Sequence, residues 1–185
     1  MSFAAQQSKV VDILAADAAA MAQLRAVRAL SLPDWCIAGG FVRNRVWDAL
    51  TGQRDAYEAD TDVLYFDSAE LSSQLEARYE SSLARTIPEA DWQVRNQARM
   101  HLRNGDEPYR DTAHAMTFWL ETCTAVGVRL REDDGLDVIA PLGLDDLLGL
   151  VFRPTQNGER RRSLYRERLA AKPWRQRWPG ATFIL

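Results

Sequence analysis

Asp60 and Asp62 stand one residue apart in DTDVLYFD, where a polar stretch gives way to an apolar one. On an extended chain alternate side chains share a face, so both carboxylates point the same way. Two hard oxygen donors so placed suit Mg²⁺ (or Mn²⁺), which is commonly held by a couple of carboxylates plus substrate phosphates and water. Metal ions there could activate an attacking hydroxyl and stabilise a leaving pyrophosphate. Upstream, CIAGGFVRNRVWDALTG ends a short apolar run on Gly39-Gly40 and then takes up helical spacing. A phosphate can reach backbone N–H groups at such a glycine pair without meeting a Cβ. The helix that follows adds its partial positive charge. Arg43, in the first turn of that helix, would point a guanidinium to the same place and fork onto phosphate oxygens. Taken singly, the glycines are turn-makers and the acids a solvated junction. Taken together, with one helix between them, they describe a site for nucleotide phosphates and the metal that accompanies them.

Several elements must hold these residues in place. Val10, Val11, Leu14, Ala18, Met21, Leu24 and Ala29 recur at helical spacing and predict a helix over 8–30, broken by LSLPDW. A strand is expected at 35–38 and a helix at 41–51, with Gly52 as its C-cap and with Arg43, Asn44 and Asp48 away from its apolar stripe. Residues 53–59 read as a loop and Val63–Phe66 as a buried strand. Ser68 reads as the N-cap of a helix running to about Arg85. DWQVRNQARMHL alternates like a strand, a helix is expected over 112–121, and AVGVRL and LDVIAP flank REDDG as a hairpin. GLDDLLGLVF reads as a short helix, alone or followed by a strand, and the chain beyond it as helical to Trp178. The order predicts an α/β (α+β) fold, a small mixed sheet flanked by helices, with a C-terminal hairpin and helices.

The 185 residues suit one domain spanning 1–185. The net charge of −3 conceals an asymmetry: residues 151–185 carry +7 and the first 150 carry −10. A basic helical tail at about 151–180 with Tyr165, Trp174 and Trp178 interleaved could meet a polyanion or fold over the acidic body, and the second is preferred. Cys36 and Cys123 lie in apolar runs without metal-ligand spacing and read as buried thiols. With no membrane span and no signal segment, a cytoplasmic protein is expected.

AGGFVRNRVWDALTG followed by DTDVLYFD resembles the head of the nucleotidyltransferases related to DNA polymerase β. The glycine pair, Val-Arg and DxD are particularly similar to CCA-adding enzymes and bacterial poly(A) polymerases. WQVRNQARMH, ETCTAVGVRL and APLGLDDLLGL extend the resemblance, over about residues 10–180, to a smaller bacterial family of nucleotidyltransferase-like proteins. It implies a nucleotidyltransferase-like fold with Asp60 and Asp62 as catalytic, metal-binding carboxylates. Gly39, Gly40 and Arg43 would serve the NTP, with Asn96, Arg95, Arg99 and His101 available to phosphate or base. The implied chemistry is transfer of a nucleoside monophosphate from an NTP to a hydroxyl, with pyrophosphate leaving. The third carboxylate usual in the superfamily could be Asp91 or Asp137, and Asn96 stands where an acid would be looked for. Glu121 and Thr122 line the cleft or cap a helix; Asp145-Asp146 most simply cap one. The acceptor is left open among a small molecule, a protein side chain and an RNA end, and a CCA-adding role is not expected without neck and body domains. The competing readings are a non-catalytic nucleotide-binding or regulatory protein and an interaction module built on Trp119, Trp174 and Trp178.

Overall fold

A computed structural model describes residues 1–53 and 60–185; most of the loop expected at 53–59 therefore lies outside the described residues. The first helical stretch is two helices, α1 (Phe3–Ala15) and α2 (Ala18–Arg28). The break comes at Asp17, whose carboxylate accepts the N–H groups of Ala19 and Ala20 at 2.9 and 3.0 Å. An aspartate that caps a new helix competes with continuation of the old one. Strand β1 (Cys36–Ala38) leads into helix α3 (Gly40–Thr51), which Gly52 ends in the left-handed conformation. Strand β2 (Thr61–Tyr65) precedes helix α4 (Ser73–Thr86), which starts at Ser72 rather than Ser68. The alternating stretch divides into strand β3 (Trp92–Asn96) and helix α5 (Gln97–Asn104). A short helix α6 (Thr112–Met116) and a 3₁₀ turn (Thr122–Thr124) follow, then the hairpin of β4 (Gly127–Leu130) and β5 (Leu136–Ile139).

The five strands form one mixed sheet in the order β3-β2-β1-β4-β5, in which β2 and β3 are parallel and the other neighbours antiparallel. Ile37, Val63, Tyr65, Val94 and Val128 face the main core, with Val10, Leu14, Leu24, Val46 and Trp47 of the helices. The other face is smaller, built from Cys36, Ala38, Leu64, Met116 and Ala125 with Trp119 and Ile139 against it. Alternation places Asp62 on this second face. Along the outer strand β3, helix α4 stands in for a neighbouring strand. Glu80 Oε1 accepts the Val94 N–H at 2.9 Å and Glu76 Oε1 accepts that of Asn96 at 2.8 Å.

The C-terminal part consists of α7 (Asp145–Leu148), β6 (Val151–Phe152), α8 (Gln156–Arg160), α9 (Arg162–Ala171), α10 (Trp174–Arg177) and β7 (Thr182–Phe183), with β6 and β7 parallel. Its arginines meet acids of the body. Arg177 chelates Asp48 (Nε–Oδ1 3.1 Å, Nη2–Oδ2 2.6 Å), and the Trp178 indole N–H donates to the same carboxylate at 2.9 Å. Arg161 reaches Asp106 at 2.7 Å and Arg168 reaches Glu121 at 2.8 Å. No helix among the described residues is long and apolar enough to cross a membrane.

Candidate active site

Antiparallel pairing sets Ala38 of β1 opposite Asp62 of β2, so the acid and the glycine pair that follows Ala38 meet at one end of the sheet. Gly39 adopts φ +66° and ψ −125°, a conformation that essentially only glycine takes, and this turns the chain from β1 into α3. A Cβ at Gly39 would lie 3.4 Å from Asp62 Oδ2 and 3.3 Å from Trp119 Cζ3. Notch and carboxylate are thus direct neighbours, with the Trp119 ring beside them. Burial, reinforced by the charge of Asp60, pushes the Asp62 carboxyl up to about 6, while Arg168 and Arg95 pull the other way.

Asp60, exposed, accepts a hydrogen bond from Gln93 Nε2 at 2.9 Å. Asp62 lines a cleft of about 400 Å³, together with the two glycines, Glu121, Arg95 and Arg168. Asp60 lines the adjoining hollow, which shares Gly40 with the cleft and also takes in Asp91. The two aspartates fit a divalent cation chemically: both are hard oxygen donors, and the partly buried Asp62 carries a charge that its desolvation and the neighbouring Asp60 disfavour.

Neither candidate for a third acid joins Asp62 in the cleft. Asp137 sits on β5, where Arg131 (3.1 Å) and Arg129 (3.4 Å) hold it. Asp91 lies beside Asp60, with its carbonyl accepting the Thr61 N–H. Among the described residues no cluster of three His, Cys, Asp or Glu is arranged to bind a metal. Among the described residues the buried acid in the cleft is Glu121, whose Oε1 accepts from Arg168 Nε at 2.8 Å and whose Oε2 accepts from the Thr124 hydroxyl at 2.9 Å.

Two residues expected at the nucleotide stand elsewhere. Arg43 is 2 % exposed and directs its guanidinium away from the cleft into an aromatic cage. Its Cζ lies 4.4 Å from the Trp174 ring centre, 5.4 Å from Phe152, 5.5 Å from Trp178 and 5.8 Å from Trp47. The expectation was a guanidinium pointing to the glycine pair; here helix α3 is covered on its polar side too, by rings of the C-terminal tail. Asn96 is consumed by structure. Its Oδ1 accepts from Asp67 and Ala98 N–H groups at 3.0 and 3.1 Å, and its Nδ2 donates to the Asp67 and Glu70 carbonyls at 2.7 and 2.8 Å. Arg95 does reach the cleft, whereas Arg99 is committed to Glu76 and His101 packs beside Tyr109.

The sequence of residues 25–183 matches the model of a nucleotidyltransferase family. The chain belongs to that family. It is 33% identical to a protein whose solution structure is described as revealing a CCA-adding enzyme head domain, over 95% of this chain and 94% of that one, with a TM-score of 0.83. The nucleotidyltransferase fold here is thus that of the head domain. A tRNA-processing enzyme in its apo form is also similar, at 18% identity and TM-score 0.54, over 88% of this chain but 44% of that one, which supports the fold alone. No curated protein matches the sequence. What the family motifs do not point to is the cleft's far wall. Trp119, Arg161 and Arg168 come from segments far along the chain. The available signal was helical spacing in α9, where Arg168 follows buried Tyr165 and adjoins buried Leu169.

Proposed function

We propose that the chain moves a nucleoside monophosphate from an NTP to a hydroxyl acceptor in a Mg²⁺-dependent reaction, with Asp60 and Asp62 as the metal-binding, catalytic pair. The observation that carries this reading is the contact of Gly39 with Asp62 at the mouth of a cleft walled by arginines. Mg²⁺, when bound, would neutralise phosphate charge and lower the barrier to attack on the α-phosphate. Gly39 and Gly40 leave backbone room for phosphate, and the start of α3 favours negative charge there. Asp62, desolvated and next to Asp60, gains most from a cation at this point. The arginines of the cleft oppose the charge that builds on the departing pyrophosphate. The acceptor is a small molecule, a protein side chain or an RNA end, and the setting is the cytoplasm.

Melting temperature in the presence of each NTP with Mg²⁺ or Mn²⁺ tests the reading. One NTP with metal should stabilise the wild type, and Asp60→Ala or Asp62→Ala should abolish the effect. No response to any NTP would count decisively against it. A second reading, nucleotide binding without turnover, is favoured because among the described residues no third acid is arranged with Asp60 and Asp62 to hold a metal. Nucleotide binding without pyrophosphate release across varied acceptors would select it.

A further inference from the structure

We propose that the triphosphate is gripped by Arg168 of α9, so that the C-terminal tail and not the glycine-pair helix supplies the phosphate-binding arginine. The inference rests on the nucleotidyltransferase reading and assigns a residue to it. Among the described residues four arginines line the cleft, and three are poorly suited. Arg161 spends its Nη2 on Asp106 and the Asn104 carbonyl, both at 2.7 Å. Arg95 pairs with Glu80 and donates to the Val94 carbonyl at 2.7 Å. Arg103 is exposed on α5, beside Asn104 and Asp106 at the rim.

Arg168 differs. Among the described residues its one hydrogen bond is from Nε to Glu121, which leaves both terminal nitrogens of the fork available. The side chain is 42% exposed while the Glu121 side chain is 2% exposed, so a buried carboxylate anchors a guanidinium that faces open space. Trp174 supports it from beneath, its ring centre 5.4 Å from Arg168 Cζ and 4.4 Å from that of Arg43. The caged Arg43 thus braces the aromatic ring on which the exposed arginine rests. An arginine fixed at Nε and open at both Nη atoms presents the two parallel donors that match phosphate oxygens.

The test compares the full-length wild type with Arg168→Gln and with Arg166→Gln, an equal charge change on an exposed position of the same helix. The probes are inorganic tripolyphosphate and the four NTPs, each with Mg²⁺, titrated by calorimetry. Arg168→Gln should weaken tripolyphosphate and the preferred NTP by about tenfold to a hundredfold, and Arg166→Gln should leave both nearly unchanged. Wild-type affinity in Arg168→Gln, or an equal loss in Arg166→Gln, overturns the assignment while leaving the nucleotidyltransferase reading intact. Wild-type protein that binds none of the five probes removes that reading, and the assignment with it. If Arg168→Gln does not fold, Arg168→Lys takes its place; it keeps the charge without the fork and should lose affinity too, and undiminished binding there overturns the proposal.

Discussion

Replacing Gly39 with alanine probes the turn that brings notch and carboxylate together. At φ +66° and ψ −125° a residue with a side chain is strained by about 1–3 kcal/mol. Its Cβ would also stand 3.3 Å from Trp119, tight enough that the ring must give way slightly. Alanine stiffens the unfolded chain and returns about 0.4–1 kcal/mol. The net loss is about 1–2 kcal/mol, or about 2–8 °C in melting temperature for a chain of this size. Gly52 supplies the control. It has φ +71° and ψ +20°, in the left-handed region that side chains can enter, and none of the described residues lies within 4 Å of its Cβ direction. Gly52→Ala should therefore cost about 1 kcal/mol at most. Urea unfolding at 25 °C, backed by melting curves, gives both values. If Gly39→Ala proves as stable as Gly52→Ala, the strained turn and its crowding by Trp119 are wrong as described.

Glu76→Ala should cost about 1–3 kcal/mol by urea titration, because it leaves the Asn96 N–H without its acceptor and the partly exposed Arg99 without its carboxylate; a loss below about 0.5 kcal/mol would contradict the pairing. Arg43→Lys should lower stability by about 1–3 kcal/mol, since an ammonium cannot reproduce the planar contact with the cage or both bonds to Asn44 Oδ1. Tripolyphosphate affinity should survive it; the opposite pattern would return Arg43 to the phosphates. Burial raises the thiols of Cys36 and Cys123 well above the ordinary range of a free thiol. The folded state therefore keeps its protons longer than the unfolded one. Stability should be indifferent to these groups below about pH 8.5 and fall above it, by up to about 1.4 kcal/mol per pH unit for each thiol. Cys36→Ala with Cys123→Ala should flatten that slope in urea titrations run between pH 8 and 10.

The local half of the site was legible because it depends on short-range rules. A glycine pair after an apolar run, a helix, and two acids at the start of the next run set the turn at Gly39, after β1, beside Asp62 of β2. Elements misjudged in extent fail at polar caps. Asp17 splits the first helix, and Asn96 turns an alternating stretch from strand to helix by capping α5. The far wall was not legible, because its partners are distant in sequence. Arg168 meets Glu121 across 47 positions, and the rings that cage Arg43 come largely from the tail, beyond residue 150. Charge counting suggested that the tail folds back on an acidic body; it could not say that one arginine would go into an aromatic box and another into the cleft.

The outermost strand carries a consequence of its own. With Glu76 and Glu80 already occupying the donors of β3, that margin is closed to a visiting peptide or a second molecule seeking to lengthen the sheet. Removing both carboxylates, Glu76→Ala with Glu80→Ala, unlatches the margin at Val94 and Asn96, so self-association through β3 should follow the double substitution and be absent from the wild type.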